Sequence, residues 1–319
     1  MPPEIVKRTY TRLPSRSRLS RLQVLRRAVV GALLSPTYWV LAHRFRTPGL
    51  WSRVDCALLA LRLLCDRKAP FPYPDIYRLL FWPLDSVRYF EYDFMWQRLS
   101  ELPVRSYLDV SSPRLFPIIL MMKKRGLFAE LINPDASDLA FTANLVKALG
   151  LDDRCHLHGC LISAAPFEAE SFDVVTSMSV VEHIPQDTQA VQKMWELLKP
   201  SGRLILTVPC AAETSEQFIN QNLYSLLEPD EQGFIFFQRF YDARALAERI
   251  YPVTGQPRRY AVYGERTPGT LRRNADQKWA GCNYPYWREP YMMGREFCYF
   301  KSTADMPGEG VIALEFQKA

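Results

Sequence analysis

Glu182 and His183 stand side by side after the apolar run 172–178 and just before Ile184. An imidazole ionises near neutrality in its ordinary state, so His183 is the natural base for a hydroxyl or amine acceptor. The alternative is that Glu182-His183 closes a turn and packs under a sheet. A second group, Cys155-His156-Leu157-His158-Gly159-Cys160, places His156, His158 and Cys160 on one face of a strand. A structural zinc site needs four ligands from separated pairs, and Cys155 points to the opposite face, so no metal is expected. A third group, Arg88-Tyr89-Phe90-Glu91-Tyr92, either faces a substrate or packs as aromatics at helical spacing.

The elements that must position these residues begin near residue 104. Strand-like runs at 104–110, 128–132, 155–158, 172–177 and 203–208 alternate with helical runs at 115–122, 136–149 and 188–198. Strands separated by helices imply an α/β fold with a parallel, doubly wound sheet. A helix at 242–250 and two further strands, 259–263 and 311–316, follow. The turn Lys199-Pro200-Ser201-Gly202 precedes the fifth strand. The chain divides into a basic helical extension (1–74), aromatic-rich connecting helices (75–103), a core (104–263) closed by a last strand (311–319), and an insertion (264–310). That insertion of 47 residues is too long for an idle loop. Its aromatics and arginines suggest a lid over substrate, or a self-packed subdomain.

Three segments in order carry a resemblance: Ser171-Phe172-Asp173-Val174-Val175, then Val180-Val181-Glu182-His183-Ile184, then the run from Leu198-Lys199-Pro200-Ser201-Gly202 to Val208-Pro209. They resemble class I S-adenosylmethionine-dependent methyltransferases, in particular the type 11 small-molecule group. The resemblance spans about 104–250. It implies a Rossmann-like sheet, mostly parallel with an antiparallel last strand, and S-adenosylmethionine as cofactor. It further implies a cofactor site at Asp109, Ser111, Ser112, Arg114, Asn133, Asp135, Ser177 and Met178, with Glu182 and His183 beside the transferred methyl group. Ligands of such sheets sit outside the carboxyl ends of the strands, where strand order reverses.

The segment Asp109-Val110-Ser111-Ser112-Pro113-Arg114 departs from the family's glycine loop. Proline lacks an N–H donor, and a non-glycine residue pays to take positive φ, so a standard loop is not expected. Ser111 and Ser112 hydroxyls, with Arg114 toward the cofactor's carboxylate, are the expected substitutes. Asn133 replaces the family's ribose-binding acid, and Asp135 either joins it or caps the following helix. His158-Gly159-Cys160 replaces the usual aspartate near the adenine. A non-catalytic binding or scaffold protein is therefore the alternative to an enzyme.

The composition, 48% hydrophobic and 23% charged, excludes a disordered chain, and seven cysteines are too few for a disulfide scaffold. Residues 1–68 hold 14 Lys/Arg against three Asp/Glu, a net charge of +11, whereas the whole chain carries +6. Two apolar blocks, 28–42 (broken by Pro36) and 57–65, are too short to span a bilayer. The expected setting is cytoplasmic, with 1–68 attached peripherally to an anionic membrane surface. The implied partner is a small-molecule or lipid-linked acceptor. Nucleic acid is not expected, because the Asp/Asn-Pro-Pro-aromatic quartet of base methylation is absent and Asn133-Pro134-Asp135 follows the wrong strand.

Overall fold

The computed structural model describes residues 6–13, 20–65, 71–112, 115–279 and 284–319. In chain order come β1 (Lys7–Thr11), α1 (Arg21–Arg44), α2 (Trp51–Cys65), α3 (Tyr73–Phe81) and α4 (Arg88–Leu99). An alternating unit follows: β2 (Ser106–Val110), α5 (Leu115–Lys123), β3 (Phe128–Ile132), α6 (Ala136–Leu149), β4 (Cys155–His158), β5 (Phe172–Met178), α7 (Asp187–Glu196) and β6 (Leu198–Cys210). Next come β7 (Ser215–Ile219), β8 (Ile235–Phe240), α8 (Ala243–Arg249), α9 (Tyr251–Thr254) and β9 (Arg259–Glu265). The chain closes with α10 (Thr270–Trp279), α11 (Glu289–Glu296), β10 (Phe297–Phe300) and β11 (Gly310–Gln317).

Eight strands form the main sheet in the order β10-β9-β11-β6-β5-β2-β3-β4. The five from β4 to β6 run parallel, and β11 lies antiparallel between β6 and β9. From β2 the chain builds outward to β3 and β4, then returns to β5 on the other side. The order therefore reverses between β2 and β5, and the crevice at their carboxyl ends is the place for a ligand.

Strand period two sorts the core. Tyr107, Ala129, Leu131 and Val174 pack under the layer that includes α2 to α6. Leu108, Ile132, Val175 and Leu204 face the opposite layer with α7 and α8. Helix α6 shows how local chemistry fixes an element: Asp135 caps its first turn and Gly150, at φ 63°, ends it in the left-handed region.

Several expectations are corrected. The 1–74 extension is not wholly helical, because β1 pairs parallel with β7 in a second sheet, β1-β7-β8. Pro36 does not break the apolar block, which lies inside the 24-residue α1. Gly31 and Ser35 pack on Trp287, Tyr77 and Arg53 beside it, and this tertiary packing outweighs the proline's cost. The turn 199–202 is an excursion within β6, with Ser201 at φ 65° and the pairing to β5 shifting between Phe172 and Val174. Insertion 264–310 packs its α11 on α1, where Tyr291 meets Tyr38 and Phe45. His183 is bonded by β8 of the small sheet.

Candidate active site at the carboxyl ends of the strands

Asp109 is the buried penultimate residue of β2. Its carboxylate accepts from Ser112 N–H (3.1 Å) and Thr176 Oγ1 (3.0 Å), and Tyr107 OH lies 2.6 Å from that Thr176 oxygen. Burial pushes the carboxyl up to about 6, against the pull of these donors. The group thus ties the loop after β2 to strand β5.

That loop corrects the expectation about positive φ. Ser111 adopts φ 54°, the conformation a glycine would supply. Its N–H (2.8 Å) and its hydroxyl (3.1 Å) both donate to Ile132 O at the end of β3, which offsets part of the backbone cost. Ser112 Oγ accepts from Met178 N–H (3.0 Å), and Ser177 Oγ donates to Val110 O (3.4 Å). Asp109, Ser111, Ser112, Ser177 and Met178 are therefore brought together. The Ser111 hydroxyl is spent on shaping the loop, however, rather than presented to a ligand. Pro113 and Arg114 lie outside the described residues.

At the next strand end Asn133 Oδ1 accepts from Asp135 N–H (2.9 Å), and Asn133 N–H donates to His158 O (3.0 Å). Asp135 is committed to capping α6 through Ser137 N–H (2.8 Å) and Asp138 N–H (3.1 Å). Both capping bonds use Asp135 Oδ1, and Asn133 Oδ1 is engaged by the Asp135 N–H. His156 and His158 both bond Glu130 of the neighbouring strand, at 2.9 and 2.6 Å, which accounts for the imidazoles on β4.

Glu182 and His183 occupy a short 3-10 turn after β5. Glu182 is buried, with Oε1 3.8 Å from His183 Nε2 and Oε2 lacking a hydrogen-bond partner among the described residues. Burial pushes Glu182 up to about 8 and His183 down to about 4, so both are mainly neutral near pH 7. His183 Nδ1–H donates to Phe237 O in β8, which leaves the Nε2 lone pair toward Tyr224 OH at 3.4 Å. The rings of Tyr224 and Phe237 flank the imidazole at 5.1 Å.

Helix α4 supplies a group for which sequence reasoning offered only a broad candidate region. Buried Glu91 Oε1 accepts from Ser179 Oγ (2.5 Å) and Thr207 Oγ1 (2.6 Å), and its Oε2 pairs with Arg88 (2.6 Å). Ser179, at φ 49°, also donates its N–H to Thr207 Oγ1 (3.0 Å). One carboxylate thus clamps the ends of β5 and β6. The run Arg88–Tyr92 carried that signal, whereas Ser179, Tyr224 and Phe237 had none in the sequence.

Residues 118–206 match the family model described as a methyltransferase domain. Among curated proteins, an uncharacterized protein of Haemophilus influenzae is 27% identical over 121 residues, covering 37% of this chain and 48% of that one. Methyltransferase GfsG of Streptomyces halstedii is 25% identical over 112 residues, covering 35% and 40%. The chain spans less than half the length of these relatives. The solved geranyl diphosphate C-methyltransferase of Streptomyces coelicolor A3(2) aligns at 14% identity over 80% of this chain and 85% of that one, with a TM-score of 0.47. Within the alternating core, residues 118–206 form a methyltransferase domain, and S-adenosylmethionine is the cofactor of class I methyltransferases.

The residues present fit that cofactor in part through different chemistry. Ser111 supplies the left-handed turn after β2, Asp109 anchors it, and Asn133 stands where the second strand ends. The buried Glu182 oxygen that has no hydrogen-bond partner among the described residues lies in the turn that follows β5.

Proposed function

We propose that the chain transfers a methyl group from S-adenosylmethionine to an oxygen or nitrogen of a small-molecule or lipid- or glycan-linked acceptor. The observation that carries this reading is the joining of the Ser111 turn, through Ser112 and Met178, to β5, the strand that Glu182-His183 follow. The bound cofactor supplies an electrophilic methyl whose departing bond leaves its electron pair on sulfur, while the acceptor forms the new bond and gives up a proton. In this reading Asp109, Ser111, Ser112, Ser177 and Met178 hold the cradle in shape, and Asn133 binds the ribose. His183, fixed by Phe237, accepts a hydrogen bond from the acceptor at Nε2 in place of the one from Tyr224 OH, and aligns it. Glu182 takes the released proton once it is ionised.

Residues 104–263 with 311–319 form the catalytic unit in this reading. The cytoplasmic setting is supported by the six described cysteines, all free. Peripheral membrane attachment is supported by the charge of 1–68. A scaffold reading is favoured by one observation, the commitment of the Ser111 N–H and hydroxyl to Ile132 O.

Titration calorimetry with S-adenosylmethionine separates the two. The enzyme reading expects saturable heat, weakened about tenfold or more by Asp109→Asn, which disturbs a charge-assisted bond of the loop. No heat up to millimolar cofactor would leave the scaffold.

A further inference from the structure

Helix α1 has two unlike faces. Gly31, Ser35 and Ala42 are buried, Tyr77 donates to Ala28 O, and Arg53 donates to Ser35 Oγ. Leu22, Leu25, Val29, Leu33 and Val40 fall on another side and are between 50% and 75% exposed. Their spacing of three, four, four and seven residues traces one helical stripe, roughly 27 Å long at 1.5 Å per residue. A scattered exposed leucine is ordinary, but a continuous stripe marks a contact surface. Helix α2 adds exposed Val54, Leu58, Leu61 and Leu64.

The charge on α1 selects the occupant. Arg21, Arg26 and Arg44 of the helix, and Arg46 after it, are exposed, and the helix has no acidic residue; Arg27 is instead turned into the protein, where it donates to Tyr284 O. A second copy packed on this stripe would set arginines against arginines, whereas lipid phosphates neutralise them. No described helix is long and apolar enough to cross a membrane. We propose that the Leu22–Val40 stripe of α1 lies in the interfacial plane of an anionic lipid bilayer, its apolar side chains below the headgroups and its exposed arginines, Arg21, Arg26 and Arg44, among the phosphates. The surface acts this way whether or not the crevice transfers methyl groups.

Flotation of the full chain with phosphatidylcholine vesicles, with and without phosphatidylglycerol, tests this. Wild type should float with the anionic vesicles at low salt and partly resist added salt, because apolar insertion is not screened. The triple variant Leu25→Gln/Val29→Gln/Leu33→Gln should lose about tenfold or more in partitioning while its melting temperature stays unchanged, since all three side chains are exposed. Equal flotation of the variant, or no flotation of wild type, would overturn the proposal. So would a wild-type dimer in light scattering that the triple variant converts to a monomer. If the triple variant melts lower, the single Leu33→Gln change is used, and a several-fold loss is expected from it.

Discussion

Ser111 and Ser179 adopt the same left-handed backbone, φ 54° and 49°, at the ends of the neighbouring strands β2 and β5. Both pay the cost of a Cβ in that region, and both recover it through a hydroxyl bond, to Ile132 O and to Glu91. The bonds differ in strength because the second acceptor is ionic.

Ser111→Gly should therefore leave stability within about 1 kcal/mol of wild type, since relief of strain offsets a neutral hydrogen bond. Ser179→Gly should cost about 1–2 kcal/mol, because its lost bond is charge-assisted. Thermal denaturation of the two variants side by side measures the difference, and equal melting temperatures would contradict it.

Glu91→Ala should destabilise by about 3 kcal/mol, because Arg88 loses its counter-charge and two buried hydroxyls lose their acceptor. Glu91→Gln keeps an acceptor for those hydroxyls and should cost less. Urea unfolding of both variants reads the order directly.

The rate of methyl transfer should not follow an ordinary histidine. His183 is held down to about 4, so it stays neutral from pH 5 upward. Glu182 is held up to about 8, so its ionised, proton-accepting form grows as pH rises through that value. The rate at saturating acceptor should climb between pH 7 and 9, and Glu182→Gln should remove that limb. A single limb near 6.5 that survives in Glu182→Gln would assign the base to His183.

Stability should move the other way. Asp109 and Glu182 have folded pKa values above their unfolded ones, so the native state binds more protons between pH 4 and 8. Stability contributed by the two groups therefore falls as pH rises across that window. Asp173 is held down to about 2 by Lys199 and two backbone N–H groups, and its gain appears between pH 2 and 4. Denaturation at a series of pH values should show a decline that flattens in Asp109→Asn and Glu182→Gln.

The parallel core was legible because most of its strands are rich in apolar residues and its helices carry local stop signals. Strands β3 and β4 and helix α6 begin and end where apolar runs, Asp135 and Gly150 place them. Strand β7, Ser-Glu-Gln-Phe-Ile, is half-exposed and mixed in polarity, so neither period nor composition marks it. Strand β1 finds its partner more than 200 residues away, a pairing that no local window contains. Within the site, the cap at Asp135 follows from residue type, whereas the Ser111 turn depends on Ile132 O accepting two bonds. Sequence alone shows the cost of that turn but not its compensation. The clamp by Glu91 escapes for a like reason, since it joins α4 to residues 88 and 116 positions later.

The pairing of β1 with β7 also decides how the basic head can be studied. Trimming the first 68 residues to isolate a catalytic core would strip a strand from a three-stranded sheet and bare the hydrogen-bonding edge of β7. A two-stranded ribbon with an open edge is marginal in water and prone to pair with other chains. The same ribbon carries Phe237, whose carbonyl fixes His183. A shortened protein that precipitates or loses turnover would thus report an unravelled wall of the crevice, and point changes on α1 are the cleaner way to separate anchorage from chemistry.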